Sequence, residues 1–166
     1  LNQANVLAMS GRAVEAAGIL FELNTGRQGV LDMAARAELT PGSPDEEKKL
    51  LREWYAFVHA AVLYALMVQA PNIVVLEYLR STQTMLTALG FSPDEATLFV
   101  DDAFRAYVDP LVRTRTEECP AVFFRRLLGK EVQDVPARQL AVISGVMAMI
   151  LAAVLDKLEQ YEFLTC

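Results

Sequence analysis

The chain has 166 residues, 54% of them hydrophobic and 22% charged, and a net charge of −6. This length suits one domain that buries roughly 70% of its unfolded surface. The acidic balance argues against a general nucleic-acid binder, whose phosphate affinity rests on clustered Lys and Arg.

Glycine, proline and capping residues divide the sequence into helical segments, and no sustained period-2 alternation competes with them, so the fold is predicted to be all-α. The opening LNQANVLAMSGRAVEAAG lacks a basic stretch followed by a continuous apolar run and does not read as a signal peptide. A first helix is predicted over residues 3–22, carrying Val6, Leu7, Val14, Ala17, Leu20 and Phe21, and a short second one over 27–39. Residues 1–39 are expected to form a loosely attached helical pair within a single domain spanning 1–166.

The stretch TPGSPDEE is the clearest linker. Ser43 is placed as an N-cap, Pro44 at the first helical position, and Asp45 and Glu46 complement the positive end of the helix dipole. The helix beginning there is predicted to run to about Ala70. Pro71 and Asn72 end it, and the next helix closes at Gly90. The signature then repeats as FSPDEA, with Ser92 and Glu95 spaced as a capping box. The two SPDE stretches lie 49 residues apart, but LLREWYAFV and FVDDAFRAY do not match, so both read as independent helix starts. The helix from Pro93 is predicted to be amphipathic, to restart or kink at Asp109-Pro110 and again at Cys119-Pro120, and to end at Gly129. A final helix is predicted from Pro136 to Phe163.

Residues 140–155, LAVISGVMAMILAAVL, carry no charge. Sixteen residues cover only about 24 Å of a bilayer core of about 30 Å, and a charged helical continuation follows them. The segment 54–70, WYAFVHAAVLYALMVQA, is also apolar nearly all round. Both contain small residues at helical spacing, Ala141, Gly145, Ala148 and Ala152 in one and Ala56, Ala60, Ala61 and Ala65 in the other. Such stripes allow close backbone approach. The sequence therefore predicts a compact bundle of six to seven helices with a central helix, 140–155, packed against 54–70.

No Gly-rich phosphate loop, nucleophile elbow or HExxH motif occurs, and His59 is the single histidine. Cys119 and Cys166 lie 47 positions apart, which suggests neither a disulfide framework nor a metal site. No cofactor or metal is expected, and a reducing, cytoplasmic setting is. Arg52 and His59 share one helical face, about 10 Å apart along the axis. Their spacing resembles the Arg-x(4 to 6)-His pattern of HEPN-type helical ribonucleases, a resemblance that covers two residues and implies catalytic roles for both at a scissile phosphate. The alternative reading of the residues is a solvent-facing Arg52 and a core His59 with one hydrogen bond.

Charge is uneven. Between Arg113 and Lys130 five basic residues, Arg113, Arg115, Arg125, Arg126 and Lys130, stand against two acidic ones. With Phe123 and Phe124 they have the composition of a partner-binding surface; the alternative is that the aromatics pack inward while the arginines pair with the protein's own carboxylates. The leading functional expectation is a non-catalytic helical module that binds a protein partner or a second copy, a peptide, or a small apolar ligand. The HEPN-like ribonuclease is an alternative, as is a membrane-active bundle with a concealed apolar hairpin.

Overall fold

The computed structural model describes residues 3–160, with side chains from Arg12 onward. The positions of the predicted Val6 and Leu7 side chains, the extension of the last helix to Phe163, and Cys166 lie outside the described residues. Those residues form seven helical rods and no strand, which bears out the all-α bundle. The rods are α1 (Gln3–Thr25), α2 (Arg27–Arg36), α3 (Pro44–Gln69), α4 (Asn72–Ala88), a run made of α5 (Pro93–Leu98), a π turn (Phe99–Phe104) and α6 (Arg105–Val112), then α7 (Cys119–Leu128) and α8 (Ala137–Glu159).

Local chemistry sets most of the boundaries. The Ser43 hydroxyl accepts from Glu46 N, and the Ser92 hydroxyl accepts from Glu95 N while the Glu95 carboxylate receives Ser92 N, a complete capping box. Gly90 takes φ +90° after α4, so that Phe91 N reaches Leu86 O, and Gly129 takes φ +65° after α7. Only glycine enters that left-handed region without strain from a Cβ. Glu38 also takes a positive φ, +59°, and ends α2 three residues short of the sequence expectation. Its turn carries no glycine to announce it.

The two prolines sit differently. Pro120 starts α7, in the first turn where its missing N–H costs no helical bond, whereas Pro110 lies inside α6. The helix ends two residues later, at Val112. The π turn just upstream explains a second feature. Phe99 and Phe104, five residues apart, are both buried. In an α-helix that spacing separates side chains by about 140°, whereas the i→i+5 bonding of a π turn brings them onto one face.

α3 is the axis of the bundle. It touches α1, α2, α4, the π turn, α6, α7 and α8, and from Ala56 to Leu63 every residue is buried. Around it Trp54 meets Phe57 and Phe123, and Phe57 meets Tyr107, mostly edge to face, an arrangement that adds about 0.5–1.5 kcal/mol per pair beyond area burial. The Trp54 indole N–H donates to Asn24 O at 3.2 Å, which satisfies a carbonyl at the end of α1. α1 packs on both α3 and α4 through a face that includes Ala13, Ala17 and Phe21.

The two apolar helices pack together as expected, but α8 is not enclosed. Its buried face is a single stripe, Ile143, Met147, Ile150, Leu151, Val154 and Leu158. The small residues Ala141, Gly145, Ala148 and Ala152 lie on the opposite, exposed side, so only α3 contributes its alanines to the core. Both faces of α8 are apolar, and apart from the exposed Met149 the larger side chains occupy the buried one, where they remove more surface from water.

Candidate docking surface and internal polar sites

His59 sits on α3 with no exposed surface. Its Nδ1 lies 2.7 Å from the Tyr78 hydroxyl and its Nε2 2.9 Å from Thr82 Oγ1. Tyr78 and Thr82 are four apart on α4, so one helical face serves both ring nitrogens. Phe21 meets the imidazole edge to face, and Phe104 and Tyr78 lie against it at a tilt. Burial lowers the His59 pKa to about 3 and pushes the Tyr78 phenol up. The ring is therefore neutral, with one nitrogen donating and one accepting, and the phenol is its natural donor. Arg52 is engaged elsewhere. Its guanidinium pairs with Glu95 and lies 3.9 Å over the Phe91 ring. That contact, with the cap hydrogen bonds from Ser92, holds the Glu95 carboxyl down to about 2. The HEPN-like pair thus has one member sealed in the core and the other bound to a carboxylate.

A second buried polar site joins α3, the π turn, α6 and α7. Tyr107 donates its hydroxyl to Glu53 Oε1 at 2.7 Å, and Arg126 Nε donates to the same oxygen at 2.8 Å. Arg126 also reaches Asp102 Oδ1 at 3.0 Å. Burial, then the adjacent Glu53 carboxylate, keep the Tyr107 phenol protonated. Its members are up to 73 residues apart.

Of the two readings of the basic segment on α7, the packing matches the one in which the aromatics turn inward and the arginines pair with the chain's own carboxylates. Phe123 and Phe124 are completely buried, Phe123 against Trp54, because α7 turns its aromatic side toward α3. Arg126 is committed to Glu53 and Asp102, Arg125 makes two hydrogen bonds to Glu131 at 3.0 and 3.1 Å, and Arg115 lies 3.5 Å from Glu118. Arg113 and Lys130 are exposed and make no ion pair among the described residues. Cys119, at the start of α7, is buried, and burial together with Glu118 and Glu117 pushes its thiol up to about 12. The basic segment is thus largely paired with the chain's own carboxylates, leaving two cations, Arg113 and Lys130, without an ion pair among the described residues.

An unpartnered apolar surface lies on the outer side of α8. The helix is long and apolar enough to cross a membrane, yet only 28% of its most apolar 18-residue window is buried. Ala141, Gly145, Ala148, Met149 and Ala152 line the exposed side, with Met149 71% exposed. Arg138 closes this face at one end and Asp156 at the other, both exposed. A Cβ built on Gly145 would meet nothing within 4 Å. An open groove of about 400 Å³ between the end of α2 and the start of α3 is lined by Leu31, Ala35, Thr40, Pro41 and Glu47. Its single carboxylate, Glu47, is paired with Arg27 at 2.5 Å, so the groove offers no convergent polar set.

The sequence named neither polar site in advance. The available signals were a lone histidine inside an apolar helix, which requires partners, and Tyr78 and Thr82 at i, i+4 spacing. No known protein-family model, curated protein or solved structure matches this chain.

Proposed function

We propose that the protein is a non-catalytic helical module that binds another protein through the outer face of α8. The observation carrying this reading is the apolar exposure of that face between Arg138 and Asp156 on a helix whose other face is core. Large contiguous apolar patches on soluble domains mark interaction sites. The titratable groups with the strongest shifts, His59, Tyr78 and Tyr107, lie sealed in the core with structural partners, which favours a binding role over catalysis. Affinity capture from the source cell with the wild-type chain and with Ala148→Arg tests it. The arginine points to solvent and leaves the fold intact, so a partner held by the wild type should be lost. Equal capture by both chains overturns the reading.

A second reading is favoured by the length and composition of α8. Its 23 residues span about 34 Å, enough for a bilayer core of about 30 Å, so the same face could meet lipid after the helix leaves the bundle. Vesicle co-sedimentation at neutral and acid pH tests that case, and absence of binding under both conditions removes it.

A further inference from the structure

We propose that the partner of the α8 face is a second copy of this chain, packed antiparallel about a twofold axis between Val146 and Met147. The inference rests on the docking role of α8 and specifies its occupant. A twofold interface must be self-complementary, each element meeting its own image. The exposed small residues meet that condition. Ala141, Gly145, Ala148 and Ala152 are spaced four, three and four residues apart, an order that reads the same in both directions. An antiparallel copy therefore sets Ala141 against Ala152 and Gly145 against Ala148.

Charge selects the same arrangement. Arg138 ends the face on one side and Asp156 on the other, both exposed, and antiparallel pairing brings Arg138 of one copy alongside Asp156 of the other, twice per dimer. Parallel pairing would set like charges together. Arg138 otherwise makes only an exposed contact to Glu38 at 3.6 Å. The chain carries −6 overall, so two copies repel over most of their surfaces, and the uncharged stretch 140–155 is where they meet with least repulsion.

Gly145 is compatible with this packing. Nothing lies within 4 Å of its Cβ position, as is also true of Gly18 and Gly29, and at Gly145 the open space lets a second helix cross close to the backbone. One helix pair buries less than the roughly 800 Å² per partner of a standard interface, so the dimer should be weak and should form with rising concentration.

Sedimentation equilibrium of the full chain from about 1 to 500 μM, a range suited to micromolar affinity, should show monomer passing to dimer. Ala148→Arg and Gly145→Leu should abolish the dimer over this range, with unchanged helical content by circular dichroism. Arg138→Asp and Asp156→Arg should each weaken it by about 5–10-fold, and the double exchange should restore it to within about 2-fold, since opposed rim charges are re-formed. A wild-type chain that stays monomeric overturns self-pairing but leaves docking of a different partner on α8 standing. A dimer insensitive to Ala148→Arg overturns self-pairing through α8. A dimer lost with Ala148→Arg but not rescued by the charge exchange overturns the antiparallel arrangement.

Discussion

Glu53 Oε1 receives two hydrogen bonds, from the Tyr107 hydroxyl at 2.7 Å and from Arg126 Nε at 2.8 Å, at a position where Glu53 is almost wholly buried. Removing either charge leaves the other poorly solvated. Arg126→Met and Glu53→Gln are each expected to lower stability by about 2–4 kcal/mol, below the full cost of breaking a buried pair because Arg126 is partly exposed and retains Asp102. The double variant should lose less than the sum of the two. Urea denaturation of the four chains closes the cycle, and additive losses would show that the two charges act separately.

His59 gives the fold a pH dependence of known sign. Its pKa is about 3 in the folded chain against 6.5 unfolded, so between those values the unfolded chain binds the extra proton. Its contribution is complete above pH 6.5 and declines as pH falls toward 3, by about 1.4 kcal/mol per pH unit. His59 is the single histidine, so the decline between pH 7 and 5 should be much reduced in His59→Gln. Equal slopes for the two chains would refute the assignment.

Gln69 donates Nε2 to Leu155 O at 2.9 Å, tying α3 to α8, but its Oε1 is buried without a partner among the described residues. The bond contributes about 1 kcal/mol and the orphaned oxygen costs about 1–3 kcal/mol. Gln69→Met should therefore be neutral or stabilising in thermal denaturation. A clear loss of stability would show that the amide is satisfied in solution.

Much of the fold is readable because its determinants are short-range. Ser43 and Ser92 cap helices from residues within one turn, and Gly90 and Gly129 end them by backbone conformation alone. The internal sites are not readable in this way. His59 finds Tyr78 and Thr82 19 and 23 residues downstream, and Arg126 finds Glu53 73 residues upstream. The basic segment left two readings open: Arg115 and Arg125 pair locally with Glu118 and Glu131, but Arg126 pairs with Glu53 and Asp102, distant carboxylates that local counting cannot register. α8 misled for a different reason. Periodicity distinguishes polar from apolar faces, and here both faces are apolar, so the sequence offers only side-chain size, which places Ile143 and Met147 inside and Ala141 and Gly145 outside but misplaces the exposed Met149.

Cys119 should be an inert thiol. It is buried and its pKa stands near 12, so little thiolate forms at neutral pH and reagents must wait for the chain to open. In a Cys166→Ser background, an aromatic disulfide reagent should label Cys119 at the rate of unfolding, and denaturant should accelerate it strongly. Rapid labelling of the native chain would contradict the burial.

Gly145→Ala should stabilise the isolated chain by about 0.5–1 kcal/mol, because the added methyl meets nothing and the helix loses its most flexible residue. Denaturation at low micromolar concentration measures this monomer effect. A loss of stability there would point to a contact at Gly145 within the chain.

The π turn at Phe99–Phe104 gives the chain slack in its length. Deleting a residue from an α-helix rotates everything downstream by about 100° and would carry Tyr107 and Leu111 out of the core. Within the π turn the same deletion converts i→i+5 bonding to i→i+4 and leaves the later residues in phase. Single-residue gaps in the run 93–112 are therefore tolerable at this turn, while the ordinary turns on either side must keep their count.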